Sequence, residues 1–230
     1  MPALELMTSS GLGSLLGMRH ALEPDHLAAV STLVTGERST WKAAFLGMCW
    51  GLGHTLTLVA VGAVLVILRA EMPARMSDVF EFGVALMLIG LGLRAIYLAA
   101  CQGPTGPVHV HHHGGIVHVH RGAPAHIHIG AWTLARRPLF VGAIHGLAGS
   151  GALTALVLAT LPSTSARLTY MAVFGLGSTL GMAALSGLLG WPLARAGSHR
   201  ALARGVSLAV GCVSTVLGLA WGYPLVARLL

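Results

Sequence analysis

From His20 to His26 the chain reads His-Ala-Leu-Glu-Pro-Asp-His, so two imidazoles and two carboxylates fall inside an otherwise apolar run. Only seven acidic residues occur in the 230, and two of them, Glu23 and Asp25, are here. At membrane depth each such group is costly without a partner, a wet cavity or an ion. Imidazole nitrogen combined with carboxylate oxygen suits nickel, cobalt, zinc, copper and iron. Cys49, Cys101 and Cys212 form no CxxC pair, which weakens the case for copper(I) and for a dithiol relay. A short interfacial turn with these four residues simply wet is the plainer alternative, and the apolar residues on both sides argue against it. His20, Asp25 and His26 are therefore candidate metal ligands, with Glu23 ligating or tuning. Two geometries are open. An intact helix puts His20, Glu23 and His26 on one face. Pro24, which has no N–H for the carbonyl of His20, favours a break that turns His20, Asp25 and His26 inward.

Two further histidines lie in apolar segments: His54 in Gly51-Leu52-Gly53-His54-Thr55, and His145 at the head of His145-Gly146-Leu147-Ala148-Gly149-Ser150-Gly151. A lone helical histidine is more often a hydrogen-bonding residue than a ligand. These two, however, belong to segments that recur. GMRHAL at Gly17–Leu22 returns as GAIHGL at Gly142–Leu147, GLGHTL at Gly51–Leu56 as GLGSTL at Gly175–Leu180, and LGLRAIY at Leu91–Tyr97 as LGLAWGY at Leu217–Tyr223. The offsets are 125, 124 and 126 residues, in the same order. His20 thus matches His145, whereas Ser150 and Gly151 stand where the first copy has Asp25 and His26, so the first copy should dominate binding.

The elements that must position these groups are membrane helices. Hydrophobic residues make up 55% of the chain and charged residues 9%, against about 25% charged in soluble domains. The apolar runs exceed the ~18 residues that suffice to span lipid, and the 31 glycines, many inside those runs, suit close helix packing. Open strand edges find no partner in lipid. The fold class is all-α: a polytopic membrane protein with six transmembrane helices, roughly Thr8–Thr35, Trp41–Leu68, Val79–Ala100, Pro138–Leu161, Leu168–Leu193 and Leu202–Leu229. Three spans per copy is an odd number, so the second copy enters from the opposite side, and two inverted three-helix repeats result. Residues 1–101 form the first repeat, 102–137 a His-rich loop and 138–230 the second repeat. The first basic residue is Arg19, so no charged start of a signal peptide is expected.

The net charge of +7 could signal nucleic acid, but the basic residues lie between apolar runs without aromatic interleaving, as cytoplasmic flanks do. Arg38, Lys42, Arg94, Arg121, Arg136, Arg137, Arg195, Arg200 and Arg204 gather on one side, against Arg69, Arg75, Arg167 and Arg228 on the other. Both termini are then outside and the loop is cytoplasmic. That loop holds His109, His111, His112, His113, His118, His120, His126 and His128. Such a tract is expected to be disordered and to bind metal weakly as an auxiliary site.

The His-Ala-x-x-x-Asp-His pattern of His20 to His26 resembles the signature of the NiCoT family of nickel/cobalt transporters. The GLGHT stretch around His54 and the HGLAGSGAL stretch from His145 resemble its urease accessory, UreH-like branch. The chain departs from the usual pattern at Glu23-Pro24, where the family has Asp-Ala, and it has fewer spans than typical members, consistent with a missing leading span. The resemblance implies ion transport without ATP hydrolysis, with His20, Asp25 and His26 as metal-site residues. The expectation is a secondary transporter of Ni²⁺ or Co²⁺ in a bacterial inner membrane, working as uptake and with no bound cofactor. His54 and His145 extend the path, and a cytoplasmic metallochaperone is the expected soluble partner. The rivals are an exporter of the same fold, an anion or sulfite-type exporter, and a membrane-embedded enzyme. No HExxH is present and Ser150 has no adjacent base, so an enzyme is not expected.

Overall fold

Proline at position 24 has no N–H to close a helical turn onto His20, and the first apolar segment divides there into α1 (Pro2–His20) and α2 (Pro24–Val34). Of the two geometries open from sequence, the broken one is observed. The carbonyl of His20 instead accepts the N–H of Glu23 at 3.1 Å, and Glu23 takes an extended conformation before α2 begins with Pro24 in its first turn. Proline is favoured at that position because its missing N–H would have had no helical partner anyway.

The computed structural model describes residues 2–35, 37, 39–101, 108–113, 116–121, 126–129, 132–161, 163–196 and 200–230. Within these, side chains are described except for 2–10, those of 108–134, 150–152, 154, 158, 193–196 and 200. After α2 come α3 (Thr40–Leu68), α4 (Ala74–Cys101), α5 (Arg136–Thr160), α6 (Thr164–Ala196) and α7 (Arg200–Leu229). Among the described residues four segments are long and apolar enough to cross a membrane: Thr40–Leu68, Ala74–Cys101, Thr164–Pro192 and Ala201–Leu229. The chain is thus a helical integral membrane protein.

The connection from α4 to α5 differs from the disordered tract expected. It carries two antiparallel hairpins, β1 (Val108–His113) with β2 (Ile116–Arg121) and β3 (His126–Ile129) with β4 (Trp132–Ala135). The physical reason is in the sequence: valine and isoleucine alternate with histidine at the strand period of two, and β-branched residues favour strands.

The long helices pack in a defined set of pairs. Along α3 and α6 residue numbers run in opposite senses: Gly47 lies against Ser186, Gly51 against Thr179 and Thr55 against Gly175. Helices α4 and α7 are also antiparallel, with Gly92 against Gly211 and Ala85 against Gly218. By contrast α1 runs parallel to α6 and α3 parallel to α5. Lipid tails give apolar helix faces no reason to associate, so close van der Waals contact and interhelical hydrogen bonds do the work. A Cβ on Gly17 would run into the carbonyl oxygen of Phe174, and one on Gly142 into that of Trp50. Likewise Gly177 abuts Ser14 and Gly53 abuts Leu139. Hydroxyls complete the contacts: Thr55 donates to the carbonyl of Gly175 at 2.7 Å, its oxygen lies 2.8 Å from that of Thr179, and Ser214 donates to Leu88 at 2.9 Å. Trp50, Leu88 and Met182 fill the interior together with Ala21, Ala29 and Val30.

Substituting valine for Gly17 or Gly53 should destabilise the detergent-solubilised protein by at least about 1–3 kcal/mol, the usual cost of overpacking. Gly90→Val is the control, since nothing lies within 4 Å of a Cβ there. Denaturant unfolding of the three variants measures the difference, and equal stability of all three would contradict close glycine packing.

Candidate metal centre

The break at residues 21–23 creates two helix ends that point polar groups at one place. The last turn of α1 supplies His20, and the first turn of α2 supplies Asp25 and His26. His54 comes from the middle of α3 and His145 from α5. His26, His54 and His145 are almost wholly buried, at 2%, 0% and 2% exposure. Ring centroids lie 4.5 Å apart for His20 and His26, 5.3 Å for His20 and His54, 5.3 Å for His26 and His54, and 4.2 Å for the stacked pair His26 and His145.

Two carboxylates fix these rings. Glu23 Oε1 lies 3.0 Å from His20 Nδ1. Asp25 uses both oxygens: Oδ1 is 2.9 Å from His26 Nδ1 and Oδ2 is 2.8 Å from His145 Nε2. Ionised carboxylates only accept, so the ring nitrogens donate. Oδ1 of Asp25 also accepts the backbone N–H of His26 at 2.9 Å. Its position in the first turn of α2 places the negative charge at the positive end of that helix's dipole.

Once those bonds are made, the remaining nitrogens have no partner among the described residues: Nε2 of His20, Nε2 of His26, both nitrogens of His54 and Nδ1 of His145. A buried polar atom left unpaired costs about 1–3 kcal/mol, so five in one place are a large local expense in stability. The clustered residues make two overlapping groups of metal-ligand type. One nitrogen from each of His20, His26 and His54 lie within 4.8 Å of one another, and one atom from each of Asp25, His26 and His145 do likewise. In the first group His20 and His26 each have one nitrogen held by a carboxylate and the other unpaired, which is how proteins orient metal-binding imidazoles. Nitrogen donors of this kind suit nickel, cobalt, zinc, copper and iron.

All six expected membrane-site residues are thus brought together, with Glu23 at the outer edge, its side chain 54% exposed. The eight loop histidines lie in β1, β2 and β3, and their side chains are outside the described residues, as is that of Ser150. Sequence reasoning missed the aromatic wall: Trp50 packs 5.4 Å from His26 and 5.7 Å from His145, and Phe174 packs 5.4 Å from His20. Trp50 lies one helical turn before His54, so spacing along α3 was the available signal. Ser178, which the repeat aligns with His54, is fully buried and its hydroxyl has no partner among the described residues.

Removing the bridge at Asp25 should be costly even without metal. Asp25→Ala leaves His26 Nδ1 and His145 Nε2 unpaired and should lower stability by about 1–3 kcal/mol per orphaned group. Asp25→Asn, which keeps one acceptor, should lose less. Metal-free denaturant unfolding in detergent gives the ranking; an Ala variant as stable as the parent would remove Asp25 from this role.

A sequence model of the family described as high-affinity nickel-transport protein, NicO, matches residues 6–226. Urease accessory protein UreH of Bacillus sp. (strain TB-90) is 32% identical over 225 residues, covering 98% of this chain and 95% of that protein. Chloroplast protein FOR GROWTH AND FERTILITY 1 of Arabidopsis thaliana is 28% identical over 192 residues, 80% of this chain and 50% of that protein. Chloroplast protein FOR GROWTH AND FERTILITY 2 of the same plant is 26% identical over 191 residues, 81% of this chain and 48% of that protein. No solved structure matches.

Proposed function

We propose, from the premise that the chain belongs to the NicO family of high-affinity nickel-transport proteins, that it carries Ni²⁺ or Co²⁺ inward across a bacterial cell membrane through its buried histidine cluster. Family membership makes it a metal-ion transporter and not an enzyme. The single observation that supports the route is the convergence of three histidines: His20, His26 and His54 each offer one atom within 4.8 Å of the others, and each has a buried nitrogen with no partner among the described residues.

In this mechanism the three imidazoles hold the ion, while Glu23 and Asp25 orient two of them. His26 belongs to both ligand-type groups. The ion passes on by keeping His26 while exchanging His20 and His54 for Asp25 and His145. Sharing one ligand between successive positions means the ion is never wholly stripped, which keeps the step low in energy. Asp25 is in this scheme an orienting group first and a ligand second. An inside-negative potential favours inward movement by about 2.3 kcal/mol per charge per 100 mV.

The architecture proposed is six spans, with α1 and α2 forming one broken span, arranged as inverted repeats over 1–101 and 138–230. What supports inversion is that the repeat-matched pairs α3 and α6, and α4 and α7, run antiparallel and meet at matched residues: Thr55 with Thr179, and Leu88 with Ser214. Discontinuous helices at a midplane site are a usual feature of such transporters. The basic flanks put residues 102–137 in the cytoplasm, where the tract would take up arriving ions and pass them to a metallochaperone. Register pairs His109 with His120 and His111 with His118 across the β1–β2 hairpin.

Reconstituted in liposomes, His20→Ala, His26→Ala and His54→Ala should each cut Ni²⁺ or Co²⁺ flux at least about tenfold, as loss of a metal ligand or its support does. Uptake assays with the gradient and potential imposed in either sense separate import from export. Near-normal flux in any correctly inserted variant would strike that residue from the site.

For the tract, replacing His109, His111, His118 and His120 together by alanine should lower the number of ions bound per chain more than replacing His112, His113, His126 and His128. Flux should stay near the parent value in both. Equilibrium dialysis with metal analysis provides the count, and equal losses would argue against a role for the cross-strand histidine pairs.

A further inference from the structure

The glycines of α5 fall into two kinds. A Cβ on Gly142 or Gly146 would collide with backbone of α3, at the carbonyl oxygens of Trp50 and His54 respectively. Those positions need glycine for packing. Gly149 does not. A Cβ there would lie 3.8 Å from His54 Cε1, 3.9 Å from His20 Nε2 and 3.9 Å from Leu58 Cδ1, all ordinary van der Waals distances. Its backbone is helical and not left-handed, so no conformation demands glycine either. Within a helix glycine is less favourable than alanine by roughly 0.5–1 kcal/mol. Local propensity therefore favours alanine and packing admits it. What glycine preserves is space beside two rings of the histidine cluster, one of them through its unpaired nitrogen.

That space has a definite chemical meaning if His20, His26 and His54 hold the ion. A metal–imidazole bond is about 2.0–2.1 Å long, and a further ligand such as water sits a comparable distance beyond the ion. A methyl carbon 3.9 Å from His20 Nε2 falls in the layer which those further ligands would occupy. Three imidazoles leave a tetrahedral ion one position to fill, and an octahedral or tetragonal ion two or three. Zinc is content with four ligands, whereas nickel favours the more extended geometries, and geometry rather than raw affinity is what separates first-row metals.

We infer that Gly149 is a specificity-determining residue: it keeps the open side of the three-histidine site free for additional water or oxygen ligands, and so favours Ni²⁺ over Zn²⁺. The inference rests on the proposed ligand role of His20, His26 and His54. Gly149 lies one turn beyond His145 on α5, on the same face, so the helix that supplies His145 also supplies the gap.

The test uses the full-length chain in detergent as parent, Gly149→Ala, His20→Ala and His54→Ala. Calorimetric titrations with Ni²⁺ and Zn²⁺ are combined with the visible absorption of bound Co²⁺, which is intense when four-coordinate and weak when five- or six-coordinate. The tract histidines are common to all four proteins, so differences report on the membrane site. Gly149→Ala should keep the parent's metal-free stability, lose Ni²⁺ affinity roughly tenfold, hold its Zn²⁺ affinity, and intensify the Co²⁺ spectrum. Equal changes for nickel and zinc, no change for either, or a loss of metal-free stability would each overturn the inference. If His20→Ala and His54→Ala bind metal as the parent does, the histidine site itself fails. If they lose binding while Gly149→Ala behaves as the parent, only the role of Gly149 falls.

Discussion

The centre of the molecule depends on one buried carboxylate. Asp25 ties α2 to α5 by bonding His26 with one oxygen and His145 with the other. Its charge is tolerable there because the chain surrounds it with donors: two ring nitrogens, a backbone N–H and the positive end of a helix. The backbone donor and the helix end are there because the helix breaks after His20 and starts again at Pro24. An intact helix would have spent the N–H groups of Asp25 and His26 on intrahelical bonds and aimed the side chains apart. A residue that removes one hydrogen bond thus creates a helix start, and the helix start makes a carboxylate affordable in the membrane.

The second constraint is reach. An imidazole extends only a few ångströms from its helix, so four helical segments can share a site only if their axes come close. The glycines on α1, α3, α5 and α6 provide that approach by meeting backbone directly. In water, a comparable assembly would be driven by apolar burial. In lipid it relies on contact and hydrogen bonds such as those of Thr55. Packing and chemistry are therefore coupled: Gly142 and Gly146 set the distance from α5 to α3, and with it the distance from His145 to His54.

Much of this was legible in the sequence because lipid penalises polar atoms so heavily. His20, Glu23, Asp25 and His26 stood out against an apolar background, and His54 and His145 stood out through the repeat. Less legible was which groups are paired. The sequence left Asp25 a ligand and Glu23 either ligand or tuner; the structure has both bonded to ring nitrogens, a distinction that depends on side-chain direction after the break. The break itself was one of two open geometries, because proline inside a membrane helix can kink or stop it depending on what else satisfies the freed carbonyl. Here Glu23 N–H does so. For the tract, proline and glycine content pointed to disorder while the His-x-His spacing pointed to an extended chain; the alternation with valine and isoleucine suits the strands observed.

The two repeats also explain why the site is one-sided. The repeat aligns His20 with His145 and His54 with Ser178, and the same offset sets Pro24 against Gly149. The first copy breaks at that point while α5 runs on unbroken from Arg136 to Thr160. The second copy also has Ser150 where the first has Asp25, so one buried carboxylate, and not two repelling each other, stands at the centre with enough donors to satisfy it. With one break, the unbroken copy acts as the wall: its helix is continuous past the cluster, and it contributes His145 to pair the carboxylate. The divergence at position 24 and its counterpart thus leaves one helix break and one carboxylate at the centre of the molecule. One copy supplies the charge and three of the four clustered histidines, and the other supplies His145 on a continuous helix against which they are held.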